Sequence, residues 1–157
     1  MKYLLYSLRP KHWIKNLFIF APLIFGKKLF VFPYNLNTAA AFILFCFAAS
    51  AVYLINDLFD IEQDRRHPIK RLRPIVAGKV KKELAGTVAL ILVALSIILS
   101  FALDTYLGWT IISYFIFNFL YSTILKKLVI IDVCCLAGFF LLRIIAGSVI
   151  AKVELSY

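Results

Sequence analysis

At 157 residues the chain is long enough for one domain, and with 63% hydrophobic and 16% aromatic residues and a mean hydropathy of +0.92 it is not a soluble one. A formal net charge of +10 would point to nucleic acid in a soluble chain; in one this apolar it reads as membrane topology and anionic headgroups, and no nucleic-acid partner is expected. Cys46, Cys134 and Cys135 fall inside apolar runs without disulfide or metal-ligand spacing, so they read as small buried residues.

Residues 1–16 interleave Lys2, Arg9, Lys11 and Lys15 with Tyr3, Tyr6 and Trp13, the pattern of an interfacial segment. Apolar runs long enough to cross a hydrocarbon core then recur at about 14–32, 38–55, 84–103, 106–125 and 128–151. They predict an all-α polytopic membrane protein, a single membrane domain over 1–157 with about five transmembrane helices. The first run is long and lacks a small-residue cleavage site, so it reads as a retained span rather than a signal peptide, with Pro22 expected to kink it. In the second, Ala48, Ala49, Ser50 and Ala51 predict a face packed closely on another helix.

The fifth run carries Asp132 and Arg143, which stand about three helical turns apart and so face the same way, toward the bundle or a wet cavity. Asp132 lies near enough to the helix end to help line a site there, whereas Arg143 reads as a buried structural contact. Asn118, Tyr121 and Lys126 approach the same level from the fourth run. No internal repeat or pair of interrupted helices favours a transporter.

Lys and Arg number 4 in the N-terminal segment, 8 in residues 56–83 and 2 at Lys126 and Lys127, against 3 on the opposite side at Lys27, Lys28 and Lys152. The positive-inside rule therefore places the N-terminus and the loop 56–83 in the cytoplasm, with the chain integral to the cell membrane.

That loop holds the most polar stretch of the chain, NDLFDIEQDRRHPIKRLRP at 56–74. If the preceding helix continues for two turns, Asp57, Asp60 and Asp64 at i, i+3 and i+7 share one face. Like charges so placed repel unless a cation neutralises them, and Asn56 can lend a carbonyl oxygen one turn before Asp60. Mg2+ is the expected cofactor, because it keeps waters and is commonly shared between one or two carboxylates and a substrate phosphate. Arg65, Arg66, His67, Lys70, Arg71, Arg73 and Lys79 follow at once, so acids and bases together read as a place for a metal-bound diphosphate. The plainer reading is a solvated loop after a membrane span.

NDLFDIEQD at 56–64 resembles the NDxxDxxxD motif of the UbiA superfamily of intramembrane prenyltransferases, and YSTILKKLVIIDV at 121–133 is similar to its Tyr, Lys and Asp pattern. RPKHWIKNLFIFAPLIF at 9–25, HPIKRLRPIVAG at 67–78 and GFFLLRIIAG at 138–147 resemble the branch that transfers phosphoribosyl groups to polyprenyl phosphates, in the same order along the chain. The resemblance implies part of a UbiA-like helical bundle, in which a polyprenyl phosphate attacks the anomeric carbon of phosphoribosyl diphosphate with Mg2+ on the leaving diphosphate. It implies that Asn56, Asp57, Asp60 and Asp64 hold Mg2+, that Lys15, Arg65, Arg66 and Lys126 contact phosphates, and that Tyr121 and Asp132 shape the site. Its nearest rival is transfer of a polyprenyl chain from its diphosphate to an aromatic acceptor. Family members carry further spans and a second acidic motif, so the chain is expected to be the N-terminal portion of a longer domain, to be completed by a second copy, or to be a truncated non-catalytic subunit.

Overall fold

The computed structural model describes residues 2–125 and 129–154, which form helices and turns without a strand among them. The N-terminal segment opens with α1 (Lys2–Ser7) and turns at Arg9, whose backbone takes the left-handed conformation (φ 52°, ψ 56°). Pro10 follows, and a proline denies the residue before it the right-handed helical region. A 3-10 helix then runs over Pro10–Phe20 and passes into the short α2 (Ala21–Phe25).

The expected first span is therefore not one α-helix, which corrects the reading of 14–32. Pro22 opens α2 at its first turn instead of kinking a longer helix. The 3-10 geometry has a consequence for packing. With three residues per turn, Trp13, Asn16, Ile19 and Pro22 fall in one straight row, and Asn16, Ile19 and Pro22 are buried. That row lies against α3 (Tyr34–Phe59) and α7 (Val129–Ala151). The approach to α7 is close enough to require Gly147, since a Cβ there would collide with the Ile19 carbonyl oxygen.

The remaining apolar runs become α3, α5 (Lys82–Leu103), α6 (Thr105–Thr123) and α7, joined on one side of the bundle by α4 (Ile61–Arg65) and a 3-10 turn at Lys70–Leu72. Among the described residues three helices are long and apolar enough to cross a membrane: Tyr34–Phe59, Lys82–Leu103 and Ile131–Ala151, with mean hydropathies of 2.2, 2.6 and 2.3. α6 is continuous over 19 residues but carries Tyr106, Trp109, Thr110, Ser113, Tyr114, Asn118 and Tyr121 along its length.

α3 is central and packs most extensively on α5. Its small residues Ala48, Ala49, Ser50 and Ala51 are all buried, as expected, and α5 answers with the stripe Ala85, Ala89, Ser96 and Ser100. Small side chains on both helices let the backbones approach, which is how helices gain contact in lipid without a hydrophobic drive. α5 turns into α6 at Asp104, whose side chain accepts from the Tyr106 and Leu107 N–H groups at 2.8 and 3.2 Å.

Two apolar clusters result. One joins Ile19, Leu44, Phe45, Ile111, Tyr114, Ala146 and Ile150 in mid-bundle. The other joins Leu54 and Ile61 to Ala85, Ala89, Ile75 and Val80, with Leu4 and Leu8 packed on it. The second cluster anchors the loop 66–81 and the N-terminal segment over the end of α3.

Arg143, 6% exposed, is held as the structural contact the sequence suggested. Its Nε donates to Asn16 Oδ1 at 2.7 Å and its Nη1 to the Phe139 carbonyl at 2.6 Å. The guanidinium lies 5.4 Å from the Tyr114 ring centroid. Asn16 Nδ2 in turn donates to Cys46 Sγ at 3.3 Å, so one network ties the 3-10 helix to α3 and α7.

Candidate functional site

The polar stretch begins inside α3, which runs two residues past Asp57 before Asp60 takes a bridging conformation (φ −89°, ψ 7°) and α4 resumes at Ile61. The Asp64 N–H still donates to the Asp60 carbonyl at 2.8 Å, so helical phase carries across the break. Positions 57 and 64 consequently return to the same side. Leu54 and Ile61, both in the second apolar cluster, fix that side toward protein, and Asp57 and Asp64 are each only 1% exposed.

Two carboxylates so deeply buried need compensating charge and hydrogen bonds. Arg73 supplies both: its Nη1 donates to Asp64 Oδ2 and, at 3.1 Å, to Asp57 Oδ1. Arg9 Nη2 donates to the same Asp57 oxygen, and Lys70 Nζ stands 3.9 Å from Asp64 Oδ1. The turn at Pro10 aims Arg9 inward, and its guanidinium lies 4.7 Å from the Tyr53 ring centroid on α3. One 3-10 turn further on, Trp13 Nε1 donates to Ser50 Oγ at 3.0 Å, and that hydroxyl donates to the Leu8 carbonyl at 3.0 Å. These contacts lock the N-terminal segment on α3.

Of the residues singled out by sequence, the structure thus brings Asp57 and Asp64 together. Asp60 is half-buried and takes no part in these ion pairs, and among the described residues no three His, Cys, Asp or Glu side chains gather as a metal-holding group. The pair nevertheless fits Mg2+: both carboxylates converge on one cationic nitrogen, and Mg2+ is commonly held by one or two carboxylates with waters and phosphate completing its shell. Asn56 stands one residue before Asp57, where its Oδ1 accepts from Ser122 Oγ of α6 at 3.1 Å.

Next to Ser122, Tyr121 donates its hydroxyl to Asp132 Oδ1 of α7 at 2.7 Å. Tyr121 and Asp132, which the sequence put at one level on neighbouring helices, are thus in direct contact, and Ser122 connects that side to Asn56. Arg65 pairs with Glu62 at 3.1 Å on the surface, and Arg66 and Lys15 are exposed. Lys126 lies outside the described residues. His12 packs its ring 5.4 Å from that of Tyr53, where burial first, then the positive Lys15 and Arg9, lower its pKa below the ordinary histidine value.

Sequence reasoning read Arg9 only as an interfacial cation and Arg73 only as one base among seven. Arg9 stands 48 residues from Asp57 and Arg73 stands 16, too far for helical spacing to connect them. The signal available was Pro10, which turns Arg9 out of a helix.

A model described as the UbiA prenyltransferase family matches residues 6–156. The chain belongs to that family. Among its UbiA relatives, the decaprenyl-phosphate phosphoribosyltransferase of Mycolicibacterium smegmatis is 39% identical over 98% of this chain and 49% of the relative. That of Corynebacterium glutamicum is 44% identical over 96% of this chain and 46% of the relative. The digeranylgeranylglyceryl phosphate synthase of Methanocaldococcus jannaschii is 32% identical over 73% of this chain and 38% of its own length. The chain spans about half the length of the curated phosphoribosyltransferases it matches. Within the matched residues lie the α3 and α4 carboxylates, the arginines on them and the Tyr121–Asp132 pair.

Proposed function

We propose that the protein transfers a 5-phosphoribosyl group from phosphoribosyl diphosphate to a polyprenyl phosphate, with Mg2+, at the cytoplasmic face of the cell membrane. The observation that carries the reading is the convergence of Asp57 and Asp64 among Arg9, Arg73 and Lys70 at the end of a membrane-length helix. Identity to phosphoribosyltransferases over nearly the whole chain supports the choice of donor. The distribution of Lys and Arg supports a cytoplasmic site, where phosphorylated sugars are available.

In the reaction, the bond from the ribosyl anomeric carbon to the diphosphate breaks, and one from that carbon to an oxygen of the polyprenyl phosphate forms. Negative charge builds on the leaving group and positive charge on the sugar. Bound Mg2+ would supply Lewis-acid stabilisation of the departing diphosphate. Asp57 and Asp64 would hold the metal, with Asn56 and Asp60 as further oxygen donors beside them. Lys15 and Lys126 bind phosphates, whereas Arg65 and Arg66, expected to join them, turn to the surface; fixed cations at the site lower the barrier by preorganisation. Tyr121 and Asp132 orient the sugar, where a carboxylate also favours an oxocarbenium-like state. The acceptor phosphate is already ionised near neutral pH, so no protein nucleophile and no dedicated base are required.

A second reading, transfer of a polyprenyl chain from its diphosphate, is favoured by the methanogen relative. An assay of the full-length protein separates the two. Labelled phosphoribosyl diphosphate with polyprenyl phosphate should give labelled lipid. Product only from polyprenyl diphosphate with an aromatic acceptor would select the second. A non-catalytic subunit would keep its biological role after Asp57→Asn and Asp60→Asn.

A further inference from the structure

Asp57 and Asp64 are already neutralised by the protein itself. Two carboxylates face three cations, Arg9, Arg73 and Lys70, all within 4.0 Å. The cluster is thus net positive before any ligand arrives, and a bare divalent cation entering it meets repulsion in a place where burial weakens screening. A diphosphate carrying its metal has the opposite balance, because its oxygens attract the guanidinium groups while the metal attracts the carboxylates.

Arg73 is placed to move between these partners. A single nitrogen of its guanidinium serves both carboxylates, which leaves the planar fork unused for the bidentate contact that arginine makes with phosphate. Its side chain is also a quarter exposed, whereas the carboxylates it holds are at most 2% exposed. The mobile partner is thus the cation.

We propose that Arg73, assisted by Arg9, is a resident counter-ion that pairs with the two carboxylates and passes to the diphosphate when the metal takes its place. Arg73 contacts the diphosphate directly in this scheme, and the metal and the diphosphate enter as a unit. The scheme rests on the metal-diphosphate reading of the site. By linkage, each of the two ligands raises the affinity of the other by the same factor.

The test uses the full-length protein in nanodiscs of uncharged lipid, Mn2+ as the metal probe followed by the electron paramagnetic resonance of the free ion, and inorganic pyrophosphate. Wild type should bind Mn2+ weakly alone and at least about tenfold more tightly with pyrophosphate, as charge-assisted bonds of this strength allow. Arg73→Gln should bind Mn2+ alone about tenfold more tightly than wild type and lose most of the pyrophosphate enhancement. Where that variant does not fold, Arg73→Lys serves, because one ammonium cannot hold both carboxylates and a phosphate fork; it should shift both values the same way by less. Unchanged Mn2+ affinity and enhancement in the folded variant would overturn the exchange while leaving the metal site standing. So would tight Mn2+ binding by wild type without pyrophosphate. Absence of Mn2+ binding in every protein, with and without pyrophosphate, would remove the metal-diphosphate reading and the exchange together.

Discussion

Gly147 and Gly86 have the same side chain and opposite prospects. A methyl at Gly147 would drive into the Ile19 carbonyl, a backbone atom, whereas at Gly86 it meets nothing within 4 Å. Gly147→Ala should therefore destabilise the protein by about 1–3 kcal/mol or more, as overpacking does. Gly86→Ala should stabilise α5 by up to about 1 kcal/mol. Thermal unfolding in detergent, monitored by the helical circular dichroism signal, distinguishes the two. Arg143 offers a third case at this scale. Arg143→Gln leaves the Asn16 oxygen without its guanidinium donor, while the Phe139 carbonyl keeps its helical N–H partner within α7; an expected loss of about 1–3 kcal/mol follows from burying the unmet Asn16 acceptor. The same unfolding measurement checks it.

Arg65 and Arg66 show why proximity in sequence misleads at the residue scale. Each helical residue turns the chain by about 100°, so the positions after Asp64 face away from it; Arg65 instead meets Glu62 on the surface. Arg9 and Arg73, distant in sequence, are the ones that folding delivers. Helical spacing could therefore bring Asp57 and Asp64 to one side, although it counted Asp60 with them, but it could not show which cations reach them.

Among the elements, the 3-10 helix is where apolarity alone gave the wrong picture. A hydropathy reading registers that 14–32 is oily, but it is insensitive to backbone pitch, and it was Pro10 and Pro22 that set how the segment runs. By contrast α3, α5, α6 and α7 were legible to within a few residues, because long apolar runs bounded by charge or turn residues leave few alternatives.

Beyond its buried row, the 3-10 helix is tied to α3 by a few side-chain hydrogen bonds. Ser50→Ala removes the acceptor of Trp13 and the donor to Leu8 at once. Amide exchange across residues 8–20 should quicken in that variant while α5 keeps its protection, and unchanged exchange would show that packing alone holds the segment. His12 adds a pH dependence. Its folded pKa is lowered, so the unfolded segment binds the proton more readily. Docking is thus complete above the ordinary histidine value of about 6.5 and weakens as pH falls below it. Protease resistance of the N-terminal segment should decline over that acidic window, and His12→Gln should flatten the decline.

For the whole molecule, the site lies where three separate parts meet: the N-terminal segment through Arg9, α3 and α4 through the two aspartates, and the loop 66–81 through Arg73. α6 and α7 join it through Ser122 and through the Tyr121–Asp132 pair. A carboxylate at Asp57 therefore serves both assembly and the proposed chemistry, so activity loss in Asp57→Asn must be read beside its folded fraction. Tyr121→Phe separates the two roles more cleanly, since it keeps the ring packed edge-on against Phe139. It should leave unfolding nearly unchanged and lower transfer by about tenfold to a hundredfold, the effect of losing one oriented polar group near a charged transition state.

The most direct measurement is transfer of label from phosphoribosyl diphosphate into lipid by the full-length protein in membranes, with polyprenyl phosphate as acceptor and Mg2+ supplied or chelated. Labelled lipid should form with wild type, require Mg2+, and fall by at least about a hundredfold in folded Asp64→Asn. Labelled lipid formed equally well after chelation and by that variant would contradict the assignment of the α3 and α4 carboxylates to a metal-bound diphosphate.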